Sequence, residues 1–584
     1  MNPLRKTKII CTYGPAVASR EKIIQLINAG MNVVRFNFSH GDHDYHRQGI
    51  NLIKEIRDEL SIPLAILVDT KGPEIRTGVE QESEFISFSR DDQVTLTTEK
   101  CINTDERIYI DYPDFVRDLD DNSAIYLDDG HIMLKVLSKT KVDAQCIVIR
   151  GGEIKAKRGV NVPGVLINLP FLTDKDKADL EFAAEMDVDI VALSFVRSVT
   201  DIRSCRQFLF QHNGFSCDIV AKIENPFAVE NIQEIGFASD GIMIARGDLG
   251  VELPVEEVPK IQKDIIKTCM RLGKPVITAT QMLESMTLHS RPTRAEISDV
   301  ANAIYDSTSA IMLSGETANG NYPVECVEIM ASVALNTEAD IHNKVQKVEY
   351  DMNRGQTNAL ANAAIATAQS LEAKAIIPLT RSGHSARLVS RLRPNPIIIG
   401  ATSSERTFHK MSLYWGVIPI LLRREGQNLE DLFEMAHGHV EDCDILGKGD
   451  IVVMMGGSPI GASGATNLIR VDSIGHVVTR GKTLNSVDLD EGLVHLYKNK
   501  NSVPEGRVLV MKYLLDEDLP ALKKAKGLII QTEQGEDKAR IIAQALQIPM
   551  ISRAEGVCTV LNEREAIRID GHHGIIYRVK EKDA

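Results

Sequence analysis

Between residue 6 and about residue 320, with one insertion, short apolar runs alternate with helical patterns, a rhythm that predicts a parallel sheet joined by crossover helices. The runs are TKIICT, NVVRFNFS, LAILVDT, DIVALSFV, DIVAKIEN, GIMIARGD, PVITATQ and AIMLSGET. Most end in polar or charged residues at the carboxyl end, which is where a (β/α)8 barrel gathers its active site. The expected core is therefore an α/β chain folded as a (β/α)8 TIM barrel over residues 1–76 and 164–336.

From 77 to 163 the pattern changes to strands bounded by turn signals: EFISFS, QVTLTT, RIYIDY, AIYLDDGHIMLKVL and AQCIVIR, with Asp129-Gly130 as a hairpin turn. This predicts a small inserted β-barrel domain after the third barrel strand, at the end suited to a lid, although a passive insertion accounts for the same pattern. Residues 337–480 form a further α/β unit. In it the loop Thr380-Arg381-Ser382-Gly383-His384-Ser385, between a strand and a helix, offers hydroxyls and backbone N–H groups to a phosphate. A hydroxyl-rich helix cap accounts for the same residues. Residues 485–584 add an α/β segment with RVLVMKY, GLIIQT and ISRAEG as strands, and Asp570-Gly571-His572-His573-Gly574 reads as a turn.

The strand ends carry the chemistry. Lys222 and Glu224 share one face of a strand, and Asp248 follows the next strand about one crossover later, with neighbouring strands ~4.8 Å apart. Two carboxylates can then converge on one hard divalent cation with the lysine beside it. A lone K-x-E is usually an ion pair at a sheet rim, but polar strand ends recur here. Arg35, Asn37 and Ser39 share a face with Phe36 and Phe38 behind them. Asp69, Thr70 and Lys71 lead into a turn bearing Glu74 and Arg76. Thr278 and Thr280 lie on one face, and Ser314 and Glu316 close the eighth run. Lys155, Lys157 and Arg158 could carry positive charge from the insertion to the cleft.

Composition narrows the function classes. A net charge of −14 on 584 residues argues against binding nucleic acid or an anionic membrane, so an anionic ligand needs local positive charge. The nine cysteines have no zinc-ligand spacing and read as reduced cytoplasmic thiols. The first residues contain too short an apolar patch for a signal peptide, and no run approaches membrane-spanning length.

KTKIICTYGPA, MNVVRFNFSHG, DTKGPEIRTG, KRGVNVPG, IVAKIEN, MIARGDLGVE, ATQMLESM, SRPTRAEISDVANAI and MLSGETANG resemble the pyruvate kinase family in order and spacing, over residues 6 to about 480. The resemblance implies glycolytic phosphoryl transfer from phosphoenolpyruvate to ADP in a cytoplasmic homotetramer. It implies that Glu224 and Asp248 hold Mg²⁺ or Mn²⁺ and that Lys222 stabilises the phosphoryl group. Arg35 would contact phosphate. Pro15, Asn37, His40, Tyr45, Arg76 and Arg158 would lie on the ADP/ATP side. Asn37, Ser39, Asp69 and the Thr70 carbonyl would hold K⁺, with Glu74 where potassium-dependent members carry glutamate. The backbone of Ala245, Arg246 and Gly247, with Thr280, would take the substrate carboxylate, with Thr280 on the proton route through a water chain towards Ser314 and Glu316. The Thr380–Ser385 loop resembles the family's site for a phosphorylated metabolite effector.

Pro226-Phe227-Ala228 after KIEN, DSTS at 306–309 and Arg158 in place of lysine depart from the family pattern. The last hundred residues resemble the mobile phosphohistidine domain of phosphoenolpyruvate-utilising enzymes, with Lys538 nearest the place of the histidine, which implies a structural or regulatory role. Two other readings stay open: a metal-dependent lyase barrel that needs no nucleotide, and a degenerate metabolite sensor.

Overall fold

The eight apolar runs close into a ring in a computed structural model of the chain. Residues 4–579 are described apart from 166, 214–216, 343–354, 424–427, 444, 448, 458–465, 476 and 498–502. Two compact units result: Met1–Ile365 with Pro378–Glu425 and Gly456–Asn467, and Ala366–Ile377 with Gly426–Met455 and Leu468–Ala584.

In the first unit the barrel strands are β1 Lys8–Thr12, β2 Val33–Asn37, β3 Ala65–Asp69, β4 Ile190–Leu193, β5 Asp218–Ile223, β6 Gly241–Ala245, β7 Val276–Ala279 and β8 Ala310–Leu313. They pair around the circle β1-β8-β7-β6-β5-β4-β3-β2. Strands covered on both faces must be apolar along nearly their whole length, which is why these runs read as continuous rather than alternating. The crossover helices turn one apolar stripe inward: helix His43–Leu60 buries Ile50, Ile53 and Ile56. Thr173 and Thr293 start helices Asp174–Glu185 and Arg294–Tyr305 through capping boxes with Asp176 and Glu296.

The insertion builds its own core from residues such as Leu96, Ile108, Leu134 and Val148. Its strands form a six-stranded sheet, in the order Val160–Asn161, Ala124–Leu127, Ile132–Lys139, Asp143–Arg150, Gln93–Thr97, Arg107–Tyr109, and a separate pair of Gly152–Ile154 with Ile86–Phe88. The expected small β-barrel takes this two-sheet form. Asp129 and Gly130 make the turn, with φ of 52° and 82°. Further along, helices His384–Arg391 and Glu405–Lys410 accompany the parallel strands Ile397–Thr402 and Val417–Leu421.

In the second unit, helix Leu429–Asp442 accompanies the neighbouring strands Ile451–Gly456 and Leu468–Ser473. An eight-stranded sheet follows, with Leu489–Leu496, Arg507–Met511, Ala525–Ile530 and Met550–Ser552 as its parallel centre. Val477–Arg480 and Lys482–Thr483, which begin before residue 485, pair at its edges. The Asp570–Gly574 turn joins the antiparallel strands Ala566–Asp570 and Ile575–Arg578. Among the described residues, no helix is long and apolar enough to cross a membrane.

Candidate active site

Parallel register sets the site, because it brings the carboxyl ends of neighbouring strands to the same level. Asn37 pairs with Asp69 across β2 and β3, and Lys222 pairs with Met243 across β5 and β6. Lys222 Nζ lies 2.8 Å from Glu224 Oε1 and 3.1 Å from Asp69 Oδ1, and donates to Ser194 Oγ at 2.7 Å. Arg35 donates from Nε to Asp69 Oδ2 at 2.8 Å and from Nη1 to Thr12 Oγ1 at 3.0 Å. The backbone N–H of Phe195 donates to Glu224 Oε2 at 2.6 Å. Burial opposes the charge on Lys222, but Asp69, Glu224 and Asp248 outweigh it and raise the ammonium above its usual range. Burial likewise works against the charge of Asp69, and Lys222 and Arg35 overcome it to hold that carboxylate below its usual range.

Asp248 lies in the first turn of helix Arg246–Glu252, directly after β6. Its carboxyl opens onto the cleft, yet the enclosing protein and then the charge of Glu224 push it up to about 7, with Lys222 opposing. A side chain can touch solvent at the foot of a cleft and still feel the low-dielectric walls around it, which disfavour its charged form. The cleft holds about 840 Å³, including space open to solvent, and its lining includes Glu74, Asp129, Asn161, Phe195, Asp248 and Glu252. It therefore runs between barrel and insertion. Asn161 of the insertion donates from Nδ2 to Glu252 Oε1 at 2.8 Å.

Arg246 is clamped. Its Nη1 lies 2.8 and 2.7 Å from the two carboxylate oxygens of Asp299, and its Nη2 donates to Thr280 O at 2.7 Å. Gly247 N donates to Thr280 Oγ1 at 2.9 Å, so the turn after β6 is tied to the end of β7. Thr280 and Gln281 adopt φ of 68° and 53°. For a β-branched residue this is a sparsely populated conformation, costing about 1–3 kcal/mol, of the kind that collects at functional sites.

The pyruvate kinase barrel-domain family model matches residues 4–327, and the pyruvate kinase alpha/beta-domain model matches 358–472. The pyruvate kinase of Bacillus licheniformis is 42% identical over 587 residues, covering 98% of this chain and 99% of its own. Those of Geobacillus stearothermophilus and Staphylococcus aureus are 41% and 38% identical, with the same coverage. The chain belongs to the pyruvate kinase family. Residues 503–574 also match the mobile domain of PEP-utilising enzymes.

Other residues singled out by the pyruvate kinase resemblance lie around this centre in varied states. Pro15 begins a short helix after β1, and Ala245 ends β6. Asn37 Oδ1 accepts from Ser39 N at 3.1 Å, and the Thr70 carbonyl accepts from Ser194 Oγ at 2.6 Å. His40 holds His46 through its carbonyl, 2.8 Å from Nε2, and its side chain stays exposed. Tyr45 packs 5.7 Å from the Tyr13 ring. Arg76 donates to Glu74 Oε2 from Nε at 2.9 Å and Nη2 at 2.7 Å, and Arg158 lies 3.4 Å from Asp128. Lys155 is drawn instead to Glu84 at 3.3 Å and to the Phe85 ring, an ion pair and a cation–π contact on the insertion itself. Fully buried Glu316 accepts from Leu283 N at 3.1 Å and Ser314 N at 2.7 Å, so both its oxygens fix backbone.

In the loop expected to take an effector, Gly383 has φ of 84° and donates to Thr380 Oγ1 at 3.0 Å, while Ser385 Oγ donates to Leu379 O at 3.2 Å. Arg381 O accepts from Thr407 Oγ1 at 2.7 Å; Ser382 and His384 are exposed. Although the His384 residue reaches solvent, partial enclosure of its ring by the protein, followed by Arg387, Lys274 and Arg391, holds it below its usual range, so positive charge surrounds the loop.

Sequence reasoning missed Ser194, Thr12 and Asp299. Ser194 and Thr12 end the fourth and first apolar runs, and the logic that found Lys222 could have found them. Asp299 lies in a helix, where only the fold brings it to Arg246.

Proposed function

We propose that the chain transfers the phosphoryl group of phosphoenolpyruvate to ADP, giving pyruvate and ATP, at the carboxyl end of the barrel. The observation carrying this reading is Lys222 Nζ, 2.8 Å from Glu224 and 3.1 Å from Asp69, next to Asp248. Glu224 and Asp248 fit a divalent cation: two neighbouring carboxylates crowd like charge, and hard oxygen donors with open positions suit Mg²⁺ or Mn²⁺. Such an ion, when bound, supplies positive charge to phosphoryl oxygens and orients them for in-line displacement.

The remaining work falls to side chains. Lys222, kept charged by its acidic neighbours, neutralises phosphoryl oxygens as they leave one partner for the other. Arg35, fixed by Asp69 and Thr12, presents its remaining guanidinium edge to phosphate. The backbone of Ala245, Arg246 and Gly247, steadied by the Arg246–Asp299 pair, faces the substrate carboxylate. In this reading Thr280 Oγ1, which accepts from Gly247 N and donates to Ala279 O, passes a proton to the enolate, and the insertion serves as the lid that excludes water. Arg76, held by Glu74, is available to exchange that partner for nucleotide phosphate, joined by Arg158 and, on the nucleotide side, His40, Tyr45 and Pro15.

The finer reading assigns K⁺ to Asn37, Ser39, Asp69 and the Thr70 carbonyl, all oxygen donors on adjacent strand ends. It assigns a phosphorylated metabolite to Thr380–Ser385, supported by the surrounding positive charge, and a cytoplasmic homotetramer to the whole. The proposed domains are the barrel over 1–76 and 164–336, the lid over 77–163, the effector unit over 337–480 and the last segment over 485–584. That last segment is read as structural or regulatory: Lys538 pairs with Asp516, and Glu536 is surrounded by Lys482, Arg540 and Arg553.

An assay coupled to pyruvate formation tests the reading by omitting phosphoenolpyruvate, ADP and K⁺ in turn. All three are expected to be required, and Glu74→Lys is expected to remove the K⁺ requirement. Pyruvate released without ADP would favour the lyase reading instead.

A further inference from the structure

The ammonium of Lys222 has three N–H donors, and the structure gives it three partners. They are Glu224 Oε1 at 2.8 Å, Asp69 Oδ1 at 3.1 Å and Ser194 Oγ at 2.7 Å. These partners differ in kind. In the reading above Glu224 ligates the divalent ion and Asp69 ligates K⁺, so each carboxylate has a second cation to serve. Ser194 is neutral and belongs to neither ion.

Ser194 is itself held from both sides. It directly follows β4 and is buried. Its Oγ donates to Thr70 O at 2.6 Å and its N–H to Thr70 Oγ1 at 3.3 Å, which ties it to the end of β3. Phe195 N donates to Glu224 Oε2 at 2.6 Å and Asn225 Nδ2 to Val196 O at 3.0 Å, which ties the same turn to the end of β5. A hydroxyl has one proton. The Thr70 carbonyl takes it, while Asp69 Oδ1 lies farther off at 3.4 Å, so a lone pair is what Ser194 presents to Lys222. Backbone geometry, rather than charge, thus sets this contact.

We propose that Ser194 is a positioning residue for phosphoryl transfer, its Oγ keeping the Lys222 ammonium on aim while Glu224 and Asp69 turn to their metal ions. The inference rests on the reading of Lys222 and of the two cation sites given above. Carboxylates drawn to cations release N–H donors of Lys222 for phosphoryl oxygens. A lysine stem is flexible, and without a third anchor the amine would be free to wander as those two contacts loosen.

The same hydroxyl links the lysine to the monovalent-cation site. Ser194 leans on the Thr70 carbonyl, which the reading above also gives to K⁺. A carbonyl oxygen has two lone pairs, so it can accept from Ser194 and still face a cation.

Ser194→Ala removes only the hydroxyl, and crystal structures of this variant and of the wild type, each with and without Mn²⁺, K⁺ and an unreactive phosphoenolpyruvate analogue, test the proposal. Without the ions, Lys222 Nζ is expected to stay between Glu224 and Asp69 in both proteins. With them, it should remain against Ser194 in the wild type and move by about 1 Å or more in the variant, enough to slow single-turnover phosphoryl transfer by about 10–10²-fold. Proton exchange into pyruvate, assigned to Thr280, should persist in the same preparation and shows that the barrel is folded. Added to Lys222→Met, Ser194→Ala should slow transfer no further, because its effect runs through the lysine. The proposal is overturned if Nζ keeps its wild-type place in the loaded variant. It is equally overturned if Ser194→Ala slows transfer as much beside Lys222→Met as alone, or abolishes exchange in a variant whose circular dichroism matches the wild type. Transfer left intact by Lys222→Met itself would instead remove the role of the lysine, and this inference with it.

Discussion

Lys222→Met is expected to slow phosphoryl transfer by about 10³-fold or more while leaving proton exchange on pyruvate intact, because preorganised charge is the larger part of such catalysis. The two reactions separate because Lys222 touches Asp69, Glu224 and Ser194, whereas Thr280 belongs to a different cluster with Gly247 and Arg246. The substitution also strips a counter-charge from two buried carboxylates, and breaking a buried ion pair typically costs about 3–5 kcal/mol. Asp69 keeps Arg35, which softens that loss. Steady-state transfer and tritium exchange into pyruvate, measured on the same folded preparation, check the outcome. Loss of both activities would contradict the role given to Lys222.

Asp248→Asn is expected to move activity and stability in opposite directions. Turnover should fall by roughly 10²–10³-fold, as when a preorganised charge is removed from a reacting centre. The sign of the stability change follows from the carboxyl being pushed up to about 7, chiefly by burial and Glu224, from an ordinary 3.8. Between those values the folded chain holds a proton that the unfolded chain has lost. Stability contributed by this group is thus full below the lower value and declines as pH rises through 7. Asparagine never bears the charge, so the metal-free variant should melt higher than the metal-free wild type at pH 8 and about equally at pH 4. The same protonation predicts that Mn²⁺ binding to the wild type releases a proton at pH 6 and none at pH 9. Calorimetry in buffers of different ionisation enthalpy reads this release directly.

Much of the barrel and its centre was legible because the two periods that matter are local. Continuous apolar runs mark strands covered on both faces, and each becomes one strand of the ring. Strand alternation alone places Lys222 and Glu224 together and sends Ile223 to the core, where it is fully buried. What was not legible depends on partners distant in sequence. The Arg246 backbone reads as a substrate contact, but nothing local announces that its guanidinium is held by Asp299 and the Thr280 carbonyl. Glu316 reads as a proton-route residue, and two backbone N–H groups occupy it. The left-handed φ of Phe195, Thr280 and Gln281 carries no glycine to announce it. In the last segment the edge strands Val477–Arg480 and Lys482–Thr483 are too short and too polar to show a period.

The most direct measurement is a crystal structure of the enzyme with Mn²⁺ and a non-reactive analogue of phosphoenolpyruvate, with the ion located by its anomalous scattering. Glu224 and Asp248 should both ligate one Mn²⁺ that the analogue shares, and Lys222 Nζ should point at the phosphoryl position. An ion held elsewhere, or a lysine turned away from both carboxylates, would contradict the account.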